Sequence, residues 1–187
     1  LGASIMLKEG GIAAVLFAST ILAVLLVLPL IYAAAVRFGK ARVYAAAMLA
    51  GAALLPILFF IGMVPGAGAL PQSIAFVAIA GLPMAGVFTF PNAIMADIID
   101  YDAVRTGMRR EALYYGAQNV LEKWTGSLMF PIFAGLLLLG ETTEDPLGLR
   151  LVAPVAGAAS LLGWVCFRGY RLPDEVTPET VPGGQIR

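Results

Sequence analysis

The longest stretch without a charged residue lies between Arg42 and Asp97, and it is long enough to cross a lipid bilayer twice at about 20 residues per crossing. Only 13% of the chain is charged, 60% is hydrophobic, and the mean hydropathy is +0.88. Soluble domains carry about 25% charged residues. Backbone polar groups in lipid must be satisfied within helices or closed barrels, and the alternation typical of barrel strands is absent from this sequence. The sequence therefore predicts an all-α integral membrane protein.

Apolar segments of roughly membrane-spanning length divide the chain into helices. A helix rises about 1.5 Å per residue, so about 20 residues cross about 30 Å of hydrocarbon. The predicted spans are residues 12–36, 43–64, 71–95, 111–139 and 151–167, and residues 1–7 are predicted to be the end of an earlier helix. Together these predict a transmembrane bundle over residues 1–171. Residues 172–187 contain Pro, Glu and Gly, which favours a disordered tail.

Basic residues are distributed unevenly between the ends of the predicted spans. Lys8 and Arg150 are the only bases at one set of ends, whereas the opposite ends carry Arg37, Lys40, Arg42, Arg105, Arg109, Arg110, Arg168 and Arg171. Cytoplasmic loops are enriched in Lys and Arg, so this asymmetry predicts a cytoplasmic C-terminus in a cell membrane, plasma or inner. The chain begins at Leu1 without an initiator Met or a signal peptide, which favours a piece of a longer protein.

Several classes of function are disfavoured by composition. The formal net charge is zero and no basic stripe is present, so nothing indicates nucleic-acid binding. The chain has no histidine, and its single cysteine, Cys166, lies in an apolar run, so neither a disulfide framework nor a His/Cys metal site is predicted. An intramembrane enzyme needs a nucleophile–base pair or metal ligands, and the polar part of the chain offers neither. We therefore predict no catalytic residues and no metal site.

Lys123 is the most unusual residue of the predicted spans. It lies twelve residues after Glu111, which is about 18 Å along a helix and close to the middle of a bilayer. An ionisable group at that depth is costly and is by default a candidate functional residue. A polar arc surrounds it, because at about 100° per residue Tyr115, Gln118, Asn119, Glu122 and Gly126 share one stripe, with Lys123 and Thr125 on its flanks.

The polar arc has the composition needed to hold a polar or polyhydroxylated solute. Glu122 and Lys123 are neighbours in sequence and point about 100° apart, so we expect Lys123 to pair with a carboxylate on another helix. A second interpretation stays open: such groups also join helices through hydrogen bonds worth about 0.6–2 kcal/mol each. Glu122 in particular is compatible with a protonated side chain bonded to a neighbour.

A charged hairpin is predicted between the third and fourth spans. Asp97 is expected at the electronegative end of one helix, and Arg109 and Arg110 at the electropositive start of the next, so each placement opposes the helix macrodipole. Because these unfavourably placed charges have opposite signs and face each other across a hairpin, we expect Asp97 to pair with the arginines. Together with Asp100 and Glu111, they form a candidate cytoplasmic gate. The alternative is that the arginines only set the orientation and the acids only solvate the loop.

The run from Ala96 to Asp102, followed by Arg109-Arg110-Glu111, Tyr115, Gln118 and Lys123, resembles the glycoside–pentoside–hexuronide:cation symporters. That family includes the melibiose carriers and belongs to the major facilitator superfamily. The segment Arg37-Phe38-Gly39-Lys40 after Pro29-Leu30 is similar to the family's basic loop between helices eight and nine. The resemblance implies a C-terminal helical bundle of the major facilitator fold, comprising helices eight to twelve and the end of seven.

The resemblance also implies roles for individual residues. Positions matching Gln118, Asn119 and Lys123 line the sugar pocket in the family, and its lysine communicates with carboxylates of the second helix that bind the coupling cation. Those carboxylates would lie in an N-terminal six-helix half outside this chain. The sequence departs from melibiose carriers at Phe88, where they have a tryptophan, at Asn119, where they have threonine, and at Glu122, where they have an aliphatic residue.

The sequence thus predicts a cation-coupled symporter of a sugar or glycoside that works by alternating access, with Na⁺ or H⁺ as the coupling cation and no tightly bound cofactor. Its predicted substrate-binding residues are Lys123, Gln118, Asn119, Glu122, Tyr115 and Phe88. The expected partners are a small solute, the lipid bilayer and the N-terminal half, without nucleic acid. Two alternatives remain: a carrier of another solute such as a lysolipid, which a distant branch of the group moves, and a non-transporting scaffold or sensor on the same fold.

Overall fold

The computed structural model describes residues 2–60, 69–140 and 147–172, and within these ranges the chain is helical with no β-strand. The elements are α1 (Gly2–Phe38), α2 (Lys40–Leu54), a 3₁₀ helix (Leu55–Phe60), α3 (Ala69–Thr106), α4 (Glu111–Leu137) and α5 (Leu147–Phe167). The prediction of an all-α architecture is confirmed. The predicted tail lies outside the described residues from position 173 onward.

Stretches in four of these regions are long and apolar enough to cross a membrane: Ala18–Phe38, Lys40–Phe60, Gln72–Thr106 and Leu147–Phe167. Helix α4 does not belong to this set, although its 27 residues extend for about 40 Å. Its charged and amide side chains lower its mean hydropathy. The helix that carries the polar arc therefore differs in composition from the other long helices of the described chain.

The first two helices are joined by a single residue rather than by a loop. Helix α1 continues without a break through residue 7, where the sequence predicted the end of an earlier helix, and it extends past Arg37 to Phe38. Gly39 follows with φ 89°, a backbone conformation that L side chains rarely adopt, and α2 begins at Lys40. The basic segment expected to form a loop therefore lies on helix ends.

Helix α2 changes to a 3₁₀ helix at Leu55, beside Pro56. Proline lacks the backbone N–H that an α-helix requires and clashes with the preceding turn, so a change of helical form is expected there. The described helix ends at Phe60, and residues 61–64 of the predicted second span lie outside the described residues.

Helix α3 is longer than the sequence predicted. The expected hairpin from Asp97 onward is wrong, because α3 continues past Met95 to Thr106, and only Gly107–Arg110 is non-helical before α4. The extension is stabilised by packing, since Ile94 and Ile99 are buried at 5% and 2% exposure. Charged side chains mark the end of the apolar segment but not the end of the helix.

Helix α3 packs between α1 and α2, and α5 packs on α2 and on the 3₁₀ helix. The core of the bundle contains Ile31, Ala35, Ala85, Phe90 and Ile94. Small residues allow the helix backbones to approach closely. A Cβ added at each of four glycines would lie within 3 Å of a neighbouring helix: Gly81 of Ala23, Gly86 of Ala47, Gly148 of the Leu136 carbonyl, and Gly157 of Pro56.

Candidate functional site

Helix α4 lies at the edge of the bundle and presents its polar arc largely to the outside. No residue of α4 is buried, and its main contacts among the described elements are with α3 and α5. Its first residue, Glu111, places a negative charge at the electropositive end of the helix, which is the favourable placement for an acid. The polar side chains of α4 are therefore available to groups beyond the described bundle.

Gln118 connects α4 to α3 through its amide nitrogen. Its Nε2 donates to Asn92 Oδ1 of α3 at 3.3 Å and to Glu122 Oε1, one turn along α4, at 2.8 Å. The second hydrogen bond is short because its acceptor is an acid, as charge-assisted bonds usually are. The opposite atom of the amide, Gln118 Oε1, is buried and has no donor within the described part of the chain.

A cavity of about 450 Å³ lies between α3 and α4 beside this amide. It is lined by Met95, Tyr114, Ala117, Gln118, Leu121, Glu122 and Thr125. The hydroxyl of Thr125 donates to the Leu121 carbonyl at 2.8 Å, so its hydrogen is already used within the helix. The cavity thus combines apolar walls with an amide, a carboxyl group and a phenol, a composition typical of small-molecule sites.

Lys123, Asn119 and Tyr115 lie on the exposed flank of the arc and do not line this cavity. The Lys123 ammonium forms no ion pair or hydrogen bond with any residue in the described ranges, and the one side-chain contact to this residue is the hydrogen bond that Ser127 Oγ donates to its backbone carbonyl at 3.0 Å. The polar arc predicted from the sequence therefore does not form a single surface in the structure. Gln118 and Glu122 turn toward α3, whereas Asn119 and Lys123 face away from the described bundle.

Asn92 is the site residue that the sequence reasoning missed. It lies four residues after Phe88 and three before Met95, so the three share one face of α3. Phe88 itself is 74% exposed and does not line the cavity. The available signal was the position of Asn92, an amide within the uncharged part of α3 and one turn from Phe88, a residue that the sequence had already singled out.

Asp97 pairs with Lys40, not with the arginines that follow α3. Lys40 Nζ lies 2.6 Å from Asp97 Oδ1, and the two side chains are 38% and 20% exposed. The predicted pairing of Asp97 with Arg109 or Arg110 is therefore wrong. Its physical basis was wrong as well, because Asp97 lies within α3 and not at its electronegative end.

Arg109 is the centre of a separate, exposed cluster. Its Nε lies 2.6 Å from Glu111 Oε1, and its terminal nitrogen lies 3.6 Å from Asp100 Oδ1. The hydrogen bond with Glu111, and then the negative charges of Glu111 and Asp100, raise the pKa of the Arg109 guanidinium above its already high usual value. Deprotonation of Arg109 therefore cannot open this cluster near neutral pH. The Arg110 side chain forms no ion pair with any described residue.

The described residues contain no candidate metal-binding site, and their one cysteine is not part of the polar arc. No group of three or more His, Cys, Asp or Glu side chains that could hold a metal ion occurs among them. Cys166 is exposed on α5. The chemistry that this part of the chain offers is hydrogen bonding and charge, concentrated on α4 and on the facing side of α3.

Comparison with known proteins assigns the family. Residues 3–148 match the family model described as MFS/sugar transport protein, where MFS denotes the major facilitator superfamily. No curated protein and no solved structure matches the chain. The match confirms the superfamily predicted from the sequence and leaves the melibiose-carrier branch a prediction. Because it covers more than half of the residues, the chain belongs to the MFS/sugar transport protein family, a family of membrane transporters.

Proposed function

We propose that the chain forms the C-terminal half of a cation-coupled symporter that moves a sugar or glycoside by alternating access. The observation that carries the proposal is the group of Gln118, Asn92 and Glu122 at a cavity of about 450 Å³ between two long helices. Amides and carboxylates are the groups that hold sugar hydroxyls, which both donate and accept hydrogen bonds. The family description supports the same class of solute.

In this proposal the exposed flank of α4 faces an N-terminal half of the transporter. Asn119 and Lys123 would contact the solute from that side, and Lys123 would pair with carboxylates of the other half that bind the coupling cation. Solute would bind near the middle of the bilayer between the halves, which then rock around it. Tyr115 and Phe88, both exposed, would supply aromatic surface beside the sugar ring.

The cytoplasmic side would be closed by charges near the ends of α3 and α4. Arg109 with Asp100 and Glu111 forms one cluster, and Lys40 with Asp97 forms another. Both lie at the ends that the positive-inside rule assigns to the cytoplasm, together with the C-terminus, in a plasma or inner membrane. Rearrangement of the exposed Arg109 cluster would accompany opening, because its partners are not fixed by burial.

Flux through liposomes containing the complete protein tests this function. Radiolabelled mono- and disaccharides would be supplied with an inward Na⁺ gradient, an inward proton gradient or no gradient. We expect accumulation of at least one sugar with one of the gradients. Accumulation of a lysophospholipid instead would favour the alternative solute class, and sugar binding without flux would identify a scaffold or sensor; either result would contradict the proposal.

Lys123→Ala provides the matching site variant. We expect it to abolish gradient-driven accumulation, because the ammonium is the group proposed to link the solute site to the cation carboxylates. Leu128→Ala is the control, since Leu128 is an exposed residue on the other side of the same helix. Unchanged accumulation in Lys123→Ala would remove Lys123 from the mechanism.

A further inference from the structure

We propose that the complete protein binds an anionic phospholipid in a groove between α1, α2 and α3, at the membrane face where α1 ends. The groove is a cavity of about 890 Å³, and it has basic residues at one end and largely apolar walls along the rest of its length. No residue of α4 lines it, so it is separate from the candidate solute site. The inference goes beyond the proposed function and does not depend on which solute is moved.

The basic end of the cavity lies at the junction of α1 and α2. It is lined by Arg37 from the last turn of α1 and by Lys40 and Arg42 from the first turn of α2, and no acidic residue lines the cavity. Asp97, which is not a lining residue, pairs with Lys40 at 2.6 Å. The guanidinium groups of Arg37 and Arg42 form no ion pair with any described residue. Two positive charges at this end are therefore available to an anion.

Arg37 contacts an aromatic ring beside the cavity. Its guanidinium carbon lies 5.3 Å from the centre of the Phe38 ring, which is a cation–π contact. The N–H groups of Arg37 form no hydrogen bond with any described residue, so they are free to bind two phosphate oxygens at once. The Arg42 side chain is exposed at the same end. Phosphate is therefore the anionic group that this end of the cavity is suited to hold.

The rest of the cavity extends along α1 toward the interior of the membrane. Leu28 lies about 15 Å along the helix from Phe38, which is roughly half the thickness of the hydrocarbon core. Tyr32 and Val36, between these two, are 73% and 72% exposed. Helix α3 contributes Phe90 to the same walls. A groove with charge at the membrane face and apolar surface below it matches a phospholipid, whose acyl chains follow its headgroup into the hydrocarbon.

The position and the length of the groove favour a lipid over a soluble phosphate. The apolar stretches Ala18–Phe38 and Lys40–Phe60 are each long enough to cross a membrane, so the basic end between them falls at the level of the headgroups. The positive-inside asymmetry assigns this end to the cytoplasmic leaflet, where anionic lipids are concentrated. A soluble phosphate would contact the basic end alone and leave the apolar walls unused. An anionic phospholipid uses both.

Photolabelling of the complete protein in liposomes tests where the lipid binds. The probe is phosphatidylglycerol with a photoreactive diazirine on one acyl chain, and mass spectrometry identifies the labelled peptides. We expect residues 28–38 of α1 to be labelled several-fold more than the α5 segment around Leu162, which is 66% exposed and which surrounding lipid also reaches. Unlabelled phosphatidylglycerol should displace the probe from residues 28–38, and phosphatidylcholine should not.

Two results of the photolabelling would overturn the proposal. Labelling of residues 28–38 no stronger than that around Leu162 would show that another part of the complete protein covers the cavity. Displacement of the probe by inorganic phosphate, or by glycerophosphoglycerol, which has the same headgroup without acyl chains, would identify a site for soluble phosphates instead of a lipid site.

Substitution of the two unpaired arginines tests the basic end. Arg37→Gln combined with Arg42→Gln removes both charges, and both side chains are exposed, so the fold should be retained. Affinity for phosphatidylglycerol, measured by native mass spectrometry of the complete protein in detergent, should fall about fivefold for each arginine and about 25-fold for the pair. Arg37→Lys combined with Arg42→Lys keeps both charges and should retain most of the affinity.

Arg105→Gln combined with Arg110→Gln is the matched control. It removes the same charge from the same side of the bundle, and neither residue lines the cavity. We expect the control pair to bind phosphatidylglycerol with wild-type affinity. Equal losses of affinity in the two pairs would show a diffuse attraction to anionic lipid rather than a site, and would overturn the proposal.

Discussion

Lys40 Nζ lies 2.6 Å from Asp97 Oδ1, and this contact joins the first residue of α2 to α3 at the point where its apolar segment ends. Ile94 and Ile98, which flank Asp97 in sequence, belong to the core cluster or pack against it. The charged end of α3 is therefore attached to the bundle by an ion pair and by apolar burial together. This is why the helix continues where its hydropathy falls.

Breaking the Lys40–Asp97 pair should lower the stability of the bundle. Lys40→Met or Asp97→Asn leaves one partly buried charge without its partner, and a double-mutant cycle should give a coupling free energy of about 1 kcal/mol. Thermal unfolding of the purified protein in detergent measures it. Strictly additive single and double variants would show that the contact contributes nothing to stability.

Arg109→Gln is the comparison variant for the stability measurements on Lys40 and Asp97. The Arg109 side chain is 66% exposed and its ion pairs are exposed as well. Solvent screens such pairs, so we expect no measurable change in the melting temperature. A loss of stability as large as that of Asp97→Asn would contradict the distinction drawn here between the two charged clusters.

Gly86 should tolerate no side chain, because α2 lies too close. A Cβ at this position would lie 2.7 Å from the Cβ of Ala47, an atom that cannot rotate away. We expect Gly86→Ala to destabilise the protein by about 1–3 kcal/mol through overpacking. Gly135→Ala is the matched control, because nothing lies within 4 Å of its added Cβ. The control should be neutral or stabilising by about 0.5–1 kcal/mol, as alanine favours helix. Equal effects at both positions, measured by thermal unfolding, would refute close packing at Gly86.

Gly39 should be required for the turn between α1 and α2. Its φ of 89° is strained for any residue with a Cβ, so Gly39→Ala should cost about 1–3 kcal/mol. Helix content measured by circular dichroism should remain, while the unfolding temperature falls. A Gly39→Ala protein as stable as the wild type would mean that the turn adopts another backbone conformation.

Asn92 should contribute to solute affinity through Gln118. Asn92→Ala removes the α3 partner of the Gln118 amide, a hydrogen bond worth about 1 kcal/mol, so the half-saturating sugar concentration should rise about fivefold. Thr89→Ala is the control, since Thr89 is exposed on the same helix and does not line the α3–α4 cavity. A half-saturating concentration that rises more in Thr89→Ala than in Asn92→Ala would place the solute elsewhere.

The parts of this structure that depend on local sequence were predictable. Helix α4 begins at Glu111 as expected, and the polar arc follows from helical periodicity alone, since residues three and four apart share a face. Each of these inferences needs only the spacing of residues within one helix.

The parts that depend on packing between distant segments were not predictable. The extension of α3 rests on burial of Ile99 and on a lysine 57 positions before Asp97, and neither partner is visible from the residues around Asp97. The link from Gln118 to Asn92 depends on how α3 and α4 lie against each other. Charge alone suggested the nearby arginines as partners of Asp97, and tertiary packing provided Lys40 instead.

Accessibility of single cysteines along α4 tests most directly whether its polar arc faces a water-filled cleft inside the membrane. Cys166, which is exposed, would first be replaced by serine along with any other native cysteine of the complete protein. Cysteines at Asn119, Glu122 and Lys123 should then react with a membrane-impermeant thiol reagent, and cysteines at Trp124 and Leu128 should not. Uniform reaction along the helix, or reaction only at Trp124 and Leu128, would contradict the account.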